Sequence, residues 1–338
     1  MRALYIKKPL EAEIGELDLP AEGAGLVLLR VRFVGMCGSD LSSFRGKNPL
    51  VSYPRIPGHE IAATIESAGE GVPEKFHPGL AVTLSPYSSC GKCASCLRQR
   101  SNACRNNQTL GVQRDGAMTE FIAVPFEKLI VADGMRLRDL SLVEPLTVGY
   151  HAVRRGRVSP TDRVLVLGCG AVGLGAIAAA AFHGATVIAV DVDDRKLELA
   201  KRAGAHFGIN SKSHNLSDRV QALTAGLGPD VVIEAIGTPE TFRLAVDLVA
   251  FTGRVVYIGY AKDEVHYDSR LFVQKELDIL GSRNALPEDF EGVIRMVNET
   301  KFPLEEMVSK VVSLDQVPQA LQDWYAAPAS ISKILVEL

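Results

Sequence analysis

The 338-residue chain reads as an α/β protein, a β-rich part followed by a doubly wound parallel sheet. Three observations carry that reading. In the first part, β-branched and apolar runs are bounded by Gly and Pro. From about Ser141 onward, short apolar runs alternate with helix-like stretches, the pattern of a parallel sheet covered on both faces. At residues 168–173 the string GCGAVG follows one such run directly and opens a helical stretch.

The elements follow in order. Residues 26–36, 61–69, 80–87 and 121–131 are predicted strands, interrupted by a cysteine-rich lobe. Residues 158–168 are a turn and a strand, and 171–185 an Ala-rich buried helix. A strand at 186–191 and an amphipathic helix at 194–205 come next. Strands at 230–237, 253–260 and 277–282, with a helix at 241–250, continue the alternation. A helix at 289–299 and a strand at 332–338 close the chain, and this tail is expected to return to the first part.

Composition excludes several classes. Hydrophobic residues at 47% and charged residues at 23% suit an ordinary globular protein. A net charge of −3 gives no reason to expect nucleic acid or an anionic membrane. The opening MRALYIKKP lacks the apolar core of a signal peptide. The most apolar stretch, 174–190, is broken by His183 and Gly184 and is too short to span a bilayer. Six cysteines, four of them clustered, point to metal ligation in a reducing, cytoplasmic setting.

Cys90, Cys93, Cys96 and Cys104 lie in CGKCASCLRQRSNAC. Four soft thiolates at this spacing suit one tetrahedral zinc with no position left for water, a structural site. The alternatives are two disulfides or free thiols. The dinucleotide signal is Gly168, Gly170 and Gly173. These glycines allow a tight turn, close approach to a pyrophosphate, and packing of helix on strand. Ala171 and Val172 begin the helix whose N-terminus faces the phosphates. Asp191, some twenty residues on, stands where an acid accepts from ribose hydroxyls, which favours NAD over NADP. Arg195 nearby softens that preference, and Gly259 joins the cofactor-binding set. Cys169, inside the turn, reads as a packing residue. A second candidate metal group is scattered: Cys37 in GMCGSD, His59 and Glu60 in PGHE, and Glu144 in VEPL. Thiolate, imidazole and carboxylate are competent zinc ligands, and three of them with one open position is the catalytic arrangement. Spacing alone leaves open that these are ordinary buried residues.

The strings GMCGSDL, GHE with Gly69 and Val72, the cysteine lobe, VEP, GCGAVG and Asp191 together resemble the zinc-dependent medium-chain alcohol dehydrogenases, over nearly the whole length. Ala63 departs from the glycine usual in that signature. Within the family the chain is similar to the branch of polyol, sugar-acid and threonine dehydrogenases. The resemblance implies a GroES-like zinc domain at 1–143 and 283–338 and an NAD-binding Rossmann domain at 144–282, with zinc and nicotinamide in the cleft between them. It implies two zinc ions per chain. Cys37, His59 and alternating Glu60 and Glu144 would hold the catalytic one, and Asp40 would hold His59 by its other ring nitrogen.

The implied reaction is hydride transfer from a zinc-polarised secondary alcohol to NAD. Ser39 stands where the family relays the substrate proton, but the relay's usual terminal histidine is here Ser42, leaving Ser42 with water, Glu60 or another surface group as the exit. GSRNALPEDF (281–290) is similar to sugar-acid dehydrogenases, including those acting on L-galactonate. Arg283 or Asn284 would then touch substrate or cofactor, unless Arg283 merely pairs with Glu288 or Asp289. Arg55, ahead of PGHE, is a further cation. The expected substrate is a sugar acid, with a polyol such as sorbitol or xylitol and then L-threonine as alternatives. A non-catalytic NAD-binding protein and a zinc-ribbon nucleic-acid binder built on Arg98, Arg100 and Arg105 are the rivals from other classes. The resemblance also implies a homo-oligomer, tetramer or dimer.

Overall fold

A hairpin begins the chain: β1 (Arg2–Lys8) pairs antiparallel with β2 (Glu11–Glu16), and Ala3, Leu4 and Ile6 turn inward. β3 (Leu26–Met36) alternates as a half-buried strand should, with Val27, Leu29 and Val31 inside and Arg30 and Arg32 outside. It runs into α1 (Gly38–Phe44). β4 (Glu60–Ala68) and β5 (Ala81–Leu84) follow, then the lobe with its single-turn α2 (Ala94–Leu97). β6 (Phe121–Pro125) and β7 (Leu129–Ile130) divide the predicted 121–131 strand at a 3-10 turn. The computed structural model describes residues 1–328 and 331–338.

α3 (Val143–Arg155) leads into a six-stranded parallel sheet. The chain passes through β8 (Arg163–Leu167), α4 (Ala171–Phe182), β9 (Thr186–Asp191), α5 (Asp194–Arg202), β10 (Phe207–Asn210) and α6 (Leu216–Leu223). It then returns through β11 (Val231–Glu234), α7 (Pro239–Leu248), β12 (Arg254–Tyr257), α8 (Arg270–Gln274), β13 (Asp278–Gly281) and α9 (Pro287–Thr300). The order β10-β9-β8-β11-β12-β13 puts the reversal between β8 and β11. Doubly wound sheets take their ligands outside the strand ends at that point. The central strands are buried on both faces, and their Val, Ile and Leu runs are correspondingly continuous.

α10 (Leu304–Met307), β14 (Lys310–Ser313), α11 (Val317–Ala326) and β15 (Ile334–Glu337) return to the first sheet, ordered β14-β15-β3-β4-β5-β7 with β6 also on β3. The two units are Met1–Glu144 with Leu304–Leu338, and Pro145–Pro303. Residues 283–303, read from sequence with the first unit, group with the second. The cause is a buried carboxylate: Asp289 of α9 accepts from Arg154 (2.6 Å) and from the Leu286 amide (2.7 Å), and faces His151 Nδ1 at 2.8 Å. Those contacts fasten α9 to α3 inside the second unit.

Candidate metal and cofactor sites

The cysteine lobe is built locally. Cys90, Cys93, Cys96 and Cys104 bring their sulfurs within 4.8 Å of one another, and none forms a disulfide. A zinc tetrahedron with bonds of about 2.3 Å has sulfur–sulfur edges of about 3.8 Å. The Cys93–Cys104 and Cys93–Cys96 separations are 3.8 and 3.5 Å. The Ser95 hydroxyl and nearby backbone amides pull the Cys93 thiol down to about 5. These four sulfurs therefore fit a tetrahedral metal, and the geometry rejects the disulfide alternative.

The scattered group is built by strand register. β15 lies antiparallel to β3 with Ile334 opposite Met36, so Lys333 arrives beside Cys37. β3 pairs with β4 so that Gly35 faces Glu60. A Cβ at position 35 would collide with the Glu60 carboxylate, so glycine is required for Glu60 to turn inward. Cys37 caps α1, and its amide donates to Asp40 Oδ2 at 2.8 Å, closing a capping box. The result sets one ligand atom each of Cys37, His59 and Glu60 within 4.8 Å of the others. Glu144 is buried nearby and raised from the ordinary carboxylate range, first by burial.

Two partners of this group had no sequence signal. Lys333 Nζ donates to both Glu60 oxygens at 2.7 Å and to the Met36 carbonyl at 3.3 Å, and both side chains are almost fully buried. The hydroxyl of Tyr87, also buried, donates to Glu144 Oε1. Burial and then the Glu144 charge push that phenol far above its usual range. Asp40 differs from expectation. Its Oδ2 serves the cap, while its Oδ1 and His59 Nδ1 are both buried with no hydrogen-bond partner. Burial works against a charged His59, but Cys37, Asp40 and Glu144 outweigh it and raise the imidazole well above normal. Cys37, Asp40, Glu60 and Glu144 thus crowd around one lysine and one histidine, a donor set and an excess of potential negative charge that fit a divalent cation. Ser39 Oγ is buried without a partner, and Ser42 stands one turn further along α1.

In the second unit, Gly168 ends β8 at φ +98, a conformation open to glycine. A Cβ on Gly173 would strike the Gly168 carbonyl, so the glycine there permits the close packing of α4 on the turn. Gly170 caps α4, and Ala171 and Val172 form its first turn. Asp191 is occupied more fully than its sequence role suggests. Oδ2 accepts from the Cys169 amide (2.8 Å), and Oδ1 accepts from Val192 (2.7 Å) and Asp193 (3.1 Å). The carboxylate therefore braces the glycine turn. Arg195 forks onto Asp193, its Nη2 at 2.8 Å and Nε at 3.2 Å, and its side chain is mostly exposed. Burial drives the Cys169 thiol upward, which suits its packing role. Gly259 leaves no room for a Cβ against Gly237 and the buried Glu234. Arg283 and Asn284 follow β13, and Asn284 takes the left-handed conformation at φ +53. Asp289, one suggested partner of Arg283, is committed to His151 and Arg154. Arg55 is likewise committed, to Asp115 and Ser52 at 2.8 Å each. Among the described residues, no helix is long and apolar enough to cross a membrane.

Comparison with known proteins agrees with this architecture. Residues 23–133 match the alcohol dehydrogenase GroES-like domain, and residues 171–299 match the zinc-binding dehydrogenase family. The chain is 33% identical to the L-galactonate-5-dehydrogenase of Escherichia coli K12, over 91% of each chain. It is 32% identical to a sorbitol dehydrogenase of Halalkalibacterium halodurans, covering 91% of this chain and 90% of that one. An Escherichia coli CFT073 alcohol dehydrogenase solved with NADH superposes with a TM-score of 0.91 at 29% identity, over 100% of this chain and 99% of the other. The chain belongs to the zinc-dependent medium-chain alcohol dehydrogenases, in their polyol branch. It is an oxidoreductase acting on CH–OH donors with zinc and a nicotinamide cofactor.

Proposed function

We propose that this enzyme oxidises a secondary alcohol of a sugar acid, an aldonate such as L-galactonate, with NAD as acceptor. The observation that carries the reading is the Cys37–His59–Glu60 group, its histidine and glutamate buried, in a chain one third identical to an L-galactonate-5-dehydrogenase. Zinc, when bound, lowers the pKa of a substrate hydroxyl, and NAD supplies the hydride acceptor. Cys37, His59 and Glu60 would hold the catalytic ion, with Glu144 as the adjacent carboxylate. Lys333 balances the Glu60 charge and fixes its orientation. The buried Ser39 hydroxyl, lacking a partner within the protein, accepts the substrate hydroxyl's hydrogen bond and, as it takes that proton, hands its own to Ser42. Ser42, three residues along the same helix, passes that proton toward water. The glycine turn at 168–173 and Asp191 hold the dinucleotide. Arg283 or Asn284 contributes to substrate or cofactor contact. The cysteines, none disulfide-bonded, support a cytoplasmic setting, and the resemblance supports a dimer or tetramer.

The second reading is a neutral polyol, favoured by the likeness to sorbitol dehydrogenase. NADH formation across a panel of aldonates, polyols and L-threonine, with and without chelator, separates the readings. Turnover of an aldonate, lost on chelation and restored by zinc, supports the first. Turnover of polyols alone rejects it. Arg283→Ala is expected to weaken activity on acids more than on neutral polyols.

A further inference from the structure

Two cations of the first unit are unexplained by the sites above. Arg114 lies on the loop whose glycines, Gly111 and Gly116, pack against Pro57 and Gly58, the backbone that leads into His59. Lys128 ends the 3-10 turn between β6 and β7, where its carbonyl accepts from the Ser85 amide at 2.9 Å. Their charged ends converge on consecutive carbonyls: Arg114 Nη2 reaches Pro86 at 3.4 Å, and Lys128 Nζ reaches Tyr87 at 2.8 Å. Arg114 Nε is buried with no hydrogen-bond partner. Among the described residues neither cation forms an ion pair; Asp115 is given to Arg55, and Glu127 acts on Lys128 only from a distance. Burial lowers both groups from their ordinary values, and Arg114 lowers Lys128 further.

Half-buried like charges held side by side are unfavourable unless an anion joins them. Backbone carbonyls satisfy hydrogen bonds but carry no formal charge. A guanidinium fork beside an ammonium suits a carboxylate or a phosphate. Tyr87 ties this pair to the metal group, because its carbonyl meets Lys128 while its hydroxyl meets Glu144.

We propose that Arg114 and Lys128 form a subsite for the anionic end of the substrate, a carboxylate or a phosphate. The assignment rests on the reading of the substrate as a small polyhydroxylated alcohol. It places two further acid-recognising cations in the same unit as the metal ligands.

The test uses the full-length, zinc-loaded enzyme saturated with NAD, so that the dinucleotide's own phosphate site is filled. Inorganic phosphate and malonate are the probes, read as a rise in melting temperature. Arg114→Gln and Lys128→Gln are expected to weaken probe affinity roughly tenfold, the loss typical of one charge-assisted hydrogen bond. Arg114→Lys, which keeps the charge, is expected to recover most of it. In turnover, the ratio of KM for an acid to KM for the matching neutral polyol is expected to rise about tenfold in the Gln variants. A rise with aldonates names the carboxylate as the ligand; a rise with polyol phosphates names the phosphate. Zinc content and circular dichroism separate misfolding from loss of the subsite, and Arg114→Lys against Arg114→Gln decides if Lys128→Gln fails to fold. Equal probe affinity in folded wild type and Gln variants, or no binding to wild type, overturns the proposal. Probe binding lost in the variants, without turnover of any sugar acid, keeps the subsite and removes the sugar-acid reading.

Discussion

The cysteine lobe and the Cys37–His59–Glu60 group are both suited to zinc, yet they are made in opposite ways. The lobe draws four identical ligands from fifteen consecutive residues and sits at the surface. The other group depends on a pair, Glu60 and Lys333, that lies 273 positions apart, and on the register of β15, β3 and β4. In the lobe, hydrogen bonds from amides and the Ser95 hydroxyl meet the sulfurs, but no ion pair among the described residues offsets thiolate charge. In the scattered group, protein partners manage much of the charge before any metal arrives: Lys333 against Glu60, and Tyr87 against Glu144. The lobe should therefore behave as a folding unit conditional on zinc, and the scattered group as a feature of the sheet that outlasts its metal.

Replacing a lobe ligand gives the largest expected effect. Cys93→Ser should reduce zinc from two ions to one per chain and release amide exchange protection around residues 88–106, because structural zinc supplies on the order of 10 kcal/mol of apparent binding free energy to such lobes. Metal analysis and hydrogen exchange read this directly. Protection in β3 and β4 lost to the same extent would show that the two groups are not independent.

Lys333→Met should destabilise the first unit by about 3–5 kcal/mol, the cost of leaving one member of a buried ion pair alone. Adding Glu60→Gln should recover part of that loss. Urea unfolding of the two single variants and the double variant measures the coupling, and simple additivity would refute the pairing.

The second unit supplies a control without either metal group. Asp289 is held below the ordinary carboxylate range: burial opposes this, but His151, Arg154 and the Leu286 amide prevail. A carboxylate depressed in the native state stabilises fully above its unfolded pKa of about 3.9, and that contribution fades as pH falls through the lower native value. Asp289→Asn should therefore cost roughly 2–3 kcal/mol at neutral pH, with the difference from wild type shrinking in acid. Chelator should not change that difference. A gap that widens in acid would contradict the assignment.

The smallest expected effect belongs to Tyr87→Phe. Removing the hydroxyl from Glu144 should weaken the scattered site's zinc about tenfold and leave the lobe's zinc in place. Chelator competition, together with the visible spectrum of the cobalt-substituted protein, reads the two sites separately. An unaltered cobalt spectrum would deny Tyr87 any influence on that site.

Much of this architecture is legible in the sequence. The strand at 26–36 and the helix beginning at Ala171 fall where periodicity and glycine punctuation put them. The first hairpin and α3 are not among the elements read from the sequence, and the segment 283–303 shows why unit boundaries are harder to read. Its attachment depends on Asp289 meeting side chains some 135 positions away. Lys333 and Tyr87 stand at the ends of the strands read at 332–338 and 80–87, where neither carries a signal of its buried partner. Nothing local marks a lysine that will be buried on a glutamate. Arg195 illustrates the converse: proximity to Asp191 suggested a role there, but Asp193 lies nearer along the helix cap and captures the guanidinium.

By itself, the sequence determined what short-range chemistry can specify: the alternation of strands and helices, the glycine turn, and a four-thiolate lobe whose ligands are tethered by a few bonds. The tertiary structure decided which distant charges meet. Pairings such as Glu60 with Lys333, Glu144 with Tyr87, and Asp289 with His151 and Arg154 depend on strand register and helix packing. A one-residue slip of a strand turns every side chain to the opposite face, so these contacts are fixed only when the whole sheet is.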